Sequence, residues 1–203
     1  MSSTNYITQE QLKATLELTN TVFAEGDISA AISAASRGID GACQRRFYAD
    51  ADATQVRHYS PQTGSTCLID DLITYTSLAV DRNGDGVFEE AWTLNQWFVL
   101  EPNNADSDGR PWTRLNVNMV WGRQFPPWPR SVALTGKFGW TAVPDVIVEA
   151  TTILAAQLVK RAREAPFGVV AIGLDVGAVT RIAVTDPSIR FLISDYIRER
   201  PAS

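Results

Sequence analysis

The stretch Pro144 to Arg163, PDVIVEATTILAAQLVKRAR, is the clearest amphipathic helix in the sequence. Its apolar side chains recur at steps of three and four residues, which places on one helical stripe Val146, Ile147, Ala150, Ile153, Leu154, Leu158 and Ala162. Pro144 suits the first helical position, and Pro166 with Gly168 ends the helix. A stripe of this kind needs a partner, so residues 141–166 predict the central helix of a small bundle.

Two further helices of that bundle are predicted within residues 1–51. Thr8 and Gln11 have the spacing of a capping box, in which two side chains bind the backbone N–H groups at a helix start. Asp27 suits the N-cap of a second helix that ends near Phe47 and carries small apolar residues on one face. Small side chains allow helices to approach closely, so we expect tight packing against the central helix.

Residues 52–140 change in character and predict a β-rich insertion. Short alternating or β-branched runs are separated by Gly, Pro, Asn or Asp, and the predicted strands are QVRHYS, TCLIDDL, YTSLAV, EAWTL, WFVLEP, WTRLNVNM and SVALTGKF. All six tryptophans fall in this insertion: Trp92, Trp97, Trp112, Trp121, Trp128 and Trp140. Such side chains either fill the sheet core or lie at surfaces that meet partners, and both interpretations stay open.

Residues 167–203 predict an extended arm followed by a C-terminal helix. The arm, 168–185, is apolar, β-branched and punctuated by glycine, so it either adds as a strand to a neighbouring subunit or forms an internal hairpin. Asp186 suits the N-cap of the last helix, with Pro187 at its first position. The predicted fold class is therefore α+β, a small helical bundle that includes helices near 144–163 and 187–198, with a β-rich insertion.

Composition excludes several functional classes. The 203 residues carry 18 basic and 23 acidic side chains, and the formal charge of −5 has the wrong sign for a protein that grips nucleic acid. No apolar run reaches the ~18 residues that a membrane span needs. The N-terminus shows no secretory pattern, and Cys43 and Cys67 lack the CxxC spacing of a metal or redox site. We therefore expect no membrane-spanning segment and, at most, loose contact with DNA.

Catalytic patterns are weak. His58 is the single histidine, and it lies in a predicted strand where a half-buried structural role is favoured over catalysis. Asp70 and Asp71 are adjacent on a strand and so point to opposite faces, which argues against paired acid–base work. The sequence also has no Walker loop and no GxGxxG motif. We therefore expect no enzymatic activity and no required cofactor.

One motif has the spacing of a metal loop. The segment DRNGDGVFEE offers oxygen ligands at alternate positions, and the candidate calcium ligands are Asp81, Asn83, Asp85, the carbonyl of Val87, and Glu89. It matches only the first half of an EF-hand, because Trp92 occupies the twelfth position and the flanking residues read as strands. The alternative is a plain β-hairpin turn in which Asn and Gly supply positive φ angles.

A second loop, MVWGRQFPPWPRS, mixes aromatic residues with three prolines and two arginines. Proline cannot donate ladder hydrogen bonds, so we expect a projecting loop or sheet edge. Bases can stack on such aromatic rings. Contact with another protein is the favoured interpretation, because few cations accompany the rings and the chain is acidic.

Read in order, the chain has a capped N-terminal helix, a second helix ending in QRRFY, a DxNxDG hairpin followed by WFVLEPNNADSDGRPWTRL, then TGKFGWTAVPDVIVEATTILAAQLVKRAREAPFGV and DPSIRFLISDYIR. This order resembles the head-tail connector (adaptor, or head-completion) proteins of long-tailed bacteriophages over nearly the whole chain. The run from Gly136 to Val169 is its most specific part. The helical elements are shared widely in that family, whereas the β insertion occurs only in some members.

The resemblance implies a structural virion protein that forms a homo-oligomeric ring, typically a dodecamer, in the neck between head and tail. Its partners would be the portal protein and a stopper or tail-completion protein, with double-stranded DNA passing through the lumen and assembly in the host cytoplasm. The region from Val169 to Arg200 would dock on the portal, and its candidate partner-binding residues are Val169, Val170, Ile172, Ile182, Ile189, Phe191, Tyr196 and Arg198.

A different class of function also fits the residues. In this alternative the protein is a calcium-dependent binding module, for example for carbohydrate, whose tryptophans stack on a ligand beside the DRNGDG loop. Such a module would be a monomer that loses its ligand when a chelator is added.

Overall fold

The computed structural model describes residues 4–17, 25–164 and 186–198. Within them the chain forms four α-helices and one six-stranded antiparallel sheet, which confirms the α+β class. The chain divides into two compact units. The helical unit is drawn from the chain up to Arg45 and from Val143 onward, and the sheet unit spans Arg46–Ala142. The predicted arm at 168–185 lies outside the described residues.

The helical unit contains the four α-helices. They are α1 (Gln9–Glu17), α2 (Glu25–Cys43), α3 (Asp145–Glu164) and α4 (Pro187–Ile193), and a 3-10 turn, Ser194–Tyr196, follows α4. None of the helices in the described ranges is both long and apolar enough to cross a membrane.

The predicted caps of α1 and α4 are confirmed. The backbone N–H of Thr8 donates to Oε1 of Gln11 at 2.8 Å, and the N–H of Gln11 donates to Oγ1 of Thr8 at 3.2 Å, so the capping box is closed in both directions. Asp186 accepts from the N–H of Ser188 at 2.8 Å, and Pro187 opens α4 behind it. Both caps join residues two or three positions apart.

Both predicted ends of α2 were wrong. The helix begins at Glu25, so Asp27 lies in its first turn rather than at the N-cap. A negative charge is stabilising there because it lies near the positive end of the helix dipole. It ends at Cys43 instead of Phe47 because Gln44 takes a left-handed backbone conformation, with φ of 54°.

The core of the helical unit lies between α1, α2 and α3. Its buried side chains are Ile7, Leu12, Leu16, Ile28, Ala31, Ile32, Ala35, Ala155 and Val159. On α3 the buried face runs through Ile147, Ala150, Ala155 and Val159, whereas Ala162 of the predicted stripe is exposed. Gly38 of α2 permits the close approach to α3, because a Cβ there would lie 3.3 Å from Cδ2 of Leu154.

The sheet unit contains all six strands. They are β1 (Gln55–Tyr59), β2 (Thr66–Val80), β3 (Glu90–Trp92), β4 (Phe98–Glu101), β5 (Trp112–Val117) and β6 (Val132–Phe138). The spatial order is β1-β6-β2-β5-β4, with β3 paired to the end of β2, and every pairing of these strands is antiparallel.

Strand β2 is one continuous strand of 15 residues, although the sequence predicted two. Its register with β6 shifts between Leu72 and Thr74 and again between Tyr75 and Ser77. Such irregularities bend a strand without ending it. At the bend Gly136 of β6 is required, because a Cβ there would lie 2.3 Å from the carbonyl oxygen of Thr74.

The chain enters and leaves the sheet unit side by side. The N–H of Asp50 donates to the carbonyl of Phe138 at 2.9 Å, and the N–H of Trp140 donates to the carbonyl of Tyr48 at 3.3 Å. Between them Gly139, with φ of 108°, packs so closely that a Cβ would lie 2.1 Å from the Tyr48 carbonyl oxygen. The first and last segments of the unit are therefore joined by backbone hydrogen bonds.

Candidate functional site: two joined loops at the end of the sheet

The DRNGDG loop connects β2 to β3 and is built around a buried carboxylate. Asp81 is 4% exposed; its Oδ1 accepts from the N–H groups of Asn83 (3.2 Å) and Gly84 (2.7 Å), and its Oδ2 accepts from Gly86 (2.9 Å). Both glycines have positive φ angles, of 82° and 86°. Burial by itself would raise the pKa of Asp81, but the backbone donors together outweigh it and lower the pKa.

The same loop brings three carboxylates together. Oxygen atoms of Asp81, Asp85 and Glu89 all lie within 4.8 Å of one another, and the latter two side chains are exposed. Asp85 also accepts from Nδ2 of Asn83 at 3.0 Å and from the N–H of Val87 at 2.8 Å. A cluster of hard oxygen ligands suits Ca²⁺. The hydrogen bonds of Asp81 equally suit the plain hairpin turn, so the calcium site stays a prediction.

The second loop, between β5 and β6, presents an exposed apolar tip. It is a 3-10 turn, Met119–Trp121, whose three side chains are 61%, 85% and 57% exposed. Asn118 caps the turn by accepting from the N–H of Val120 at 3.3 Å, and Gly122 closes it in a left-handed conformation. We call Met119–Trp121 the apolar tip. Beyond it Phe125 and Pro126 are buried, so only part of the predicted projecting loop projects.

The two loops form one structure. Arg82 donates to the carbonyl of Gln124 at 3.1 Å, and Nε1 of Trp128 donates to the carbonyl of Asp81 at 3.1 Å. A carboxylate beyond the first loop, Glu90, forms ion pairs with Arg82 at 3.2 Å and with Arg123. The rings of Trp92 and Phe125 stack with centroids 5.1 Å apart. Sequence reasoning treated these loops separately and missed their union.

Most tryptophans serve the interior of the sheet unit. Trp92 and Trp140 are buried, and Trp97, Trp112 and Trp128 are partly buried. Arg123 lies 3.7 Å above the ring of Trp97, which covers that face with a cation. Trp121 is the one tryptophan that is more than half exposed. A row of exposed rings for stacking on a ligand is therefore not formed by the six tryptophans, all of which are described.

The other polar residues singled out in the sequence occupy structural positions. Asp71 is buried and accepts from Nε1 of Trp140 at 3.0 Å, whereas Asp70 lies on the opposite face and pairs with Arg57 at 2.8 Å. His58 is exposed rather than half-buried as predicted, and its ring lies 4.9 Å from that of Phe88.

Both cysteines are buried. Burial raises the pKa of Cys43 to about 11 and that of Cys67 to about 12, so both remain protonated thiols at neutral pH.

The residues expected to bind a partner are only partly described. Ile189 is buried in the helical unit, Phe191 is 80% exposed, and the N–H of Arg198 donates to the carbonyl of Cys43 at 2.9 Å. Tyr196 is partly exposed in the 3-10 turn after α4. The remaining four, Val169, Val170, Ile172 and Ile182, lie outside the described residues.

No protein-family model and no curated protein sequence matches the chain. Solved structures do match it. A chain in a structure described as the neck of an empty gene transfer agent (GTA) particle, computed with C6 symmetry, aligns with a TM-score of 0.55 and 20% identity over 100% of this chain and 94% of that chain. A chain in the virion of a native GTA particle aligns with a TM-score of 0.53 and 17% identity, over 97% and 92% respectively. At these identities the likeness establishes a shared fold.

Proposed function

We propose that this protein is a structural component of the neck of a phage-like particle. The observation that carries the proposal is the likeness to the GTA neck chain, which extends over the whole of this chain and nearly the whole of the other. A likeness confined to the helices would be weaker support, because small helical bundles serve many functions. Here the helical unit and the inserted sheet are matched together.

Within the neck, the proposed role is that of a connector or adaptor. Copies of the chain form a closed ring, one side of which binds the portal protein while the other binds a stopper or tail-completion protein. The C6 symmetry of the neighbouring structure is compatible with six or twelve copies, and twelve is the number that the sequence resemblance implies. The protein would be assembled in the host cytoplasm and reside in the virion.

The charge of the chain supports a passage for double-stranded DNA. A conduit must let its cargo slide, and a formal charge of −5 disfavours the tight phosphate contacts that cations make. The proposed function needs no enzymatic activity and no cofactor. Calcium at the Asp81 loop would stabilise the loop, and the neck function does not depend on it.

Carbohydrate binding is the weaker alternative. It needs several exposed aromatic rings beside the calcium loop, whereas five of the six tryptophans are at least partly buried. Trp128, the tryptophan nearest the loop, is engaged by its hydrogen bond to Asp81.

A binding and assembly experiment tests the connector proposal. The purified full-length chain is mixed with the purified portal protein of its own particle, and complexes are sized by analytical ultracentrifugation and viewed by electron microscopy. We expect a ring of this chain seated on the portal. A protein that remains a monomer and does not bind the portal contradicts the proposal. The variant Phe191→Ser tests the predicted portal-binding surface. Because the side chain is 80% exposed, its loss should preserve the fold while weakening binding to the portal.

A further inference from the structure

Hydrogen bonds anchor the exposed apolar tip. The N–H of Val120 donates to the side chain of Asn118 at 3.3 Å, that of Trp121 to the Asn118 carbonyl at 3.3 Å, and that of Gly122 to the Met119 carbonyl at 3.1 Å. The N–H of Asn118 donates to the carbonyl of Trp97, in the connection between β3 and β4, at 2.9 Å. A turn held in this way loses little conformational entropy when it binds. What remains to be covered is apolar surface, since most other large apolar side chains among the described residues are buried.

The helical unit offers a groove with an apolar floor and an uncharged polar rim beside the start of α1. It has a volume of about 430 Å³, a floor of Tyr6, Ile7 and Ile32, and a rim that includes Thr8, Gln9 and Ser29. Pockets of roughly 300–1,000 Å³ hold groups of drug-like size, a class that includes an indole ring. The side chain of Thr8 already accepts from the N–H of Gln11, so the start of α1 does not need a bound anion in the groove to satisfy that group.

We propose that the apolar tip of one copy inserts into this groove on a second copy of the chain. The inference rests on the proposed ring, because a ring of identical subunits joins two different patches of each chain, a projection and its receptor. The tip and the residues named in the floor and rim carry no formal charge, so the contact leaves no ion buried without a partner.

The size of the tip defines its part in that contact. An aromatic side chain buries roughly 150–250 Å² in all, and the tip adds two smaller side chains to a half-exposed tryptophan. A stable interface needs about 800 Å² from each partner. The tip is therefore an anchor within a wider contact, and tryptophan is among the residues most enriched at such anchors.

Single substitutions on each side of the contact test the inference. Self-association of the purified full-length chain is measured by analytical ultracentrifugation over a range of concentrations. Trp121→Ser on the tip and Ser29→Arg on the rim should each raise the apparent dissociation constant roughly tenfold or more. Val56→Ser removes an equally exposed apolar side chain from β1, and Ala34→Arg places the same charge at an exposed position of α2 on a different face from Ser29; both controls should associate as the wild type does.

Cross-linking gives a second readout that does not depend on affinity. A Val120→Cys chain mixed with a Ser29→Cys chain should form a disulfide-linked pair on mild oxidation, and Ala34→Cys should not. The native cysteines are buried and remain in place. Undiminished rings in Trp121→Ser, or equal cross-linking at residues 29 and 34, overturn the inference and leave the ring proposal intact. A wild-type chain that neither self-associates nor binds the portal overturns both.

Discussion

The helix caps of the helical unit and the side-chain hydrogen bonds that close the sheet unit differ in reach. In the helical unit the caps join residues two or three positions apart, and Ile, Leu, Val and Ala side chains fill the space between helices. In the sheet unit the deciding contacts join residues far apart, such as Trp140 with Asp71 and Trp128 with Asp81. Both units have an apolar core, but in the sheet unit hydrogen bonds between distant residues and closely packed glycines add constraints that periodicity does not reveal.

The two units can also be observed separately. All six tryptophans belong to the sheet unit, so tryptophan fluorescence reports on it, while far-ultraviolet circular dichroism is dominated by the helices. The response of each unit to a substitution, an ion or a change of pH can therefore be measured separately.

The largest effect is expected from glycine. Gly136→Ala should destabilise the sheet unit by about 3 kcal/mol or more, because the new Cβ would meet the carbonyl oxygen of Thr74 at 2.3 Å and backbone atoms must shift. Gly41→Ala in α2 is the matched change, since a Cβ there meets nothing within 4 Å; it should stabilise its helix by about 0.5–1 kcal/mol. Urea unfolding followed by both signals measures the contrast. Equal effects in the two units would contradict the difference described above.

A buried carboxylate gives the next effect. Asp71→Ala removes the acceptor of Nε1 of Trp140 and should cost about 1.5–3 kcal/mol, the range for hydrogen bonds to charged groups. Its neighbour is the control: Asp70 is more exposed and pairs with Arg57 on the other face, so Asp70→Ala should cost less, about 1 kcal/mol or below. Thermal unfolding monitored by fluorescence compares them. A larger loss for Asp70→Ala would show that the face of the strand does not decide the cost.

Calcium should act on the sheet unit alone. At a concentration about ten times its dissociation constant, a bound ion stabilises the folded state by about 1.4 kcal/mol. Melting is recorded by fluorescence with calcium and with chelator, for the wild type, Glu89→Gln and Asp108→Asn. Glu89→Gln removes a carboxylate of the cluster and should lose the stabilisation by calcium. Asp108→Asn removes an exposed carboxylate outside the cluster and should keep it. If chelator leaves wild-type melting unchanged, the loop is a hairpin turn without a calcium site.

The smallest difference between the two units is expected when the pH is lowered. The pKa of Asp81 is lowered in the folded sheet unit, and that of Asp186 is lowered in the helical unit, chiefly by the Ser188 N–H and the amide of Gln157. A folded-state pKa below the unfolded value of about 3.9 adds stability above that pH, and the gain is lost as the pH falls through the folded pKa.

Stability of both units should therefore decline below about pH 4. Asp81→Asn should flatten the decline in the fluorescence signal, and Asp186→Asn should flatten it in the circular dichroism signal. Each variant serves as the control for the other. A change in both signals from either substitution would mean that the two units do not unfold independently.

What could be predicted from the sequence follows the same division. Thr8 with Gln11 and Asp186 with Pro187 were identified because a cap is a pattern within a few residues. Ala162 was placed on the wrong face of α3 because the period identifies a stripe but not the side that its neighbours cover.

The errors in the sheet and the site come from contacts that sequence distance hides. β2 was split in two because the alternation of apolar residues breaks near Thr74, and only its pairing with β6 shows that the strand bends and continues. The candidate calcium ligands of the Asp81 loop follow from spacing within one short segment. The hydrogen bond from Trp128 to the carbonyl of Asp81 spans 47 positions, so spacing does not reveal it. The exposure of Val120 agrees with the predicted projecting loop, whereas the burial of Phe125 and Pro126 in the same loop was not predicted.

The paired entry and exit of the sheet unit have an evolutionary consequence. The chain enters at Arg46 and departs at Ala142, and backbone hydrogen bonds from Asp50 to Phe138 and from Trp140 to Tyr48 hold those two points together. Domains whose ends meet are tolerated as insertions. A single recombination event could therefore add or delete this module and leave the order of the helices along the chain unchanged.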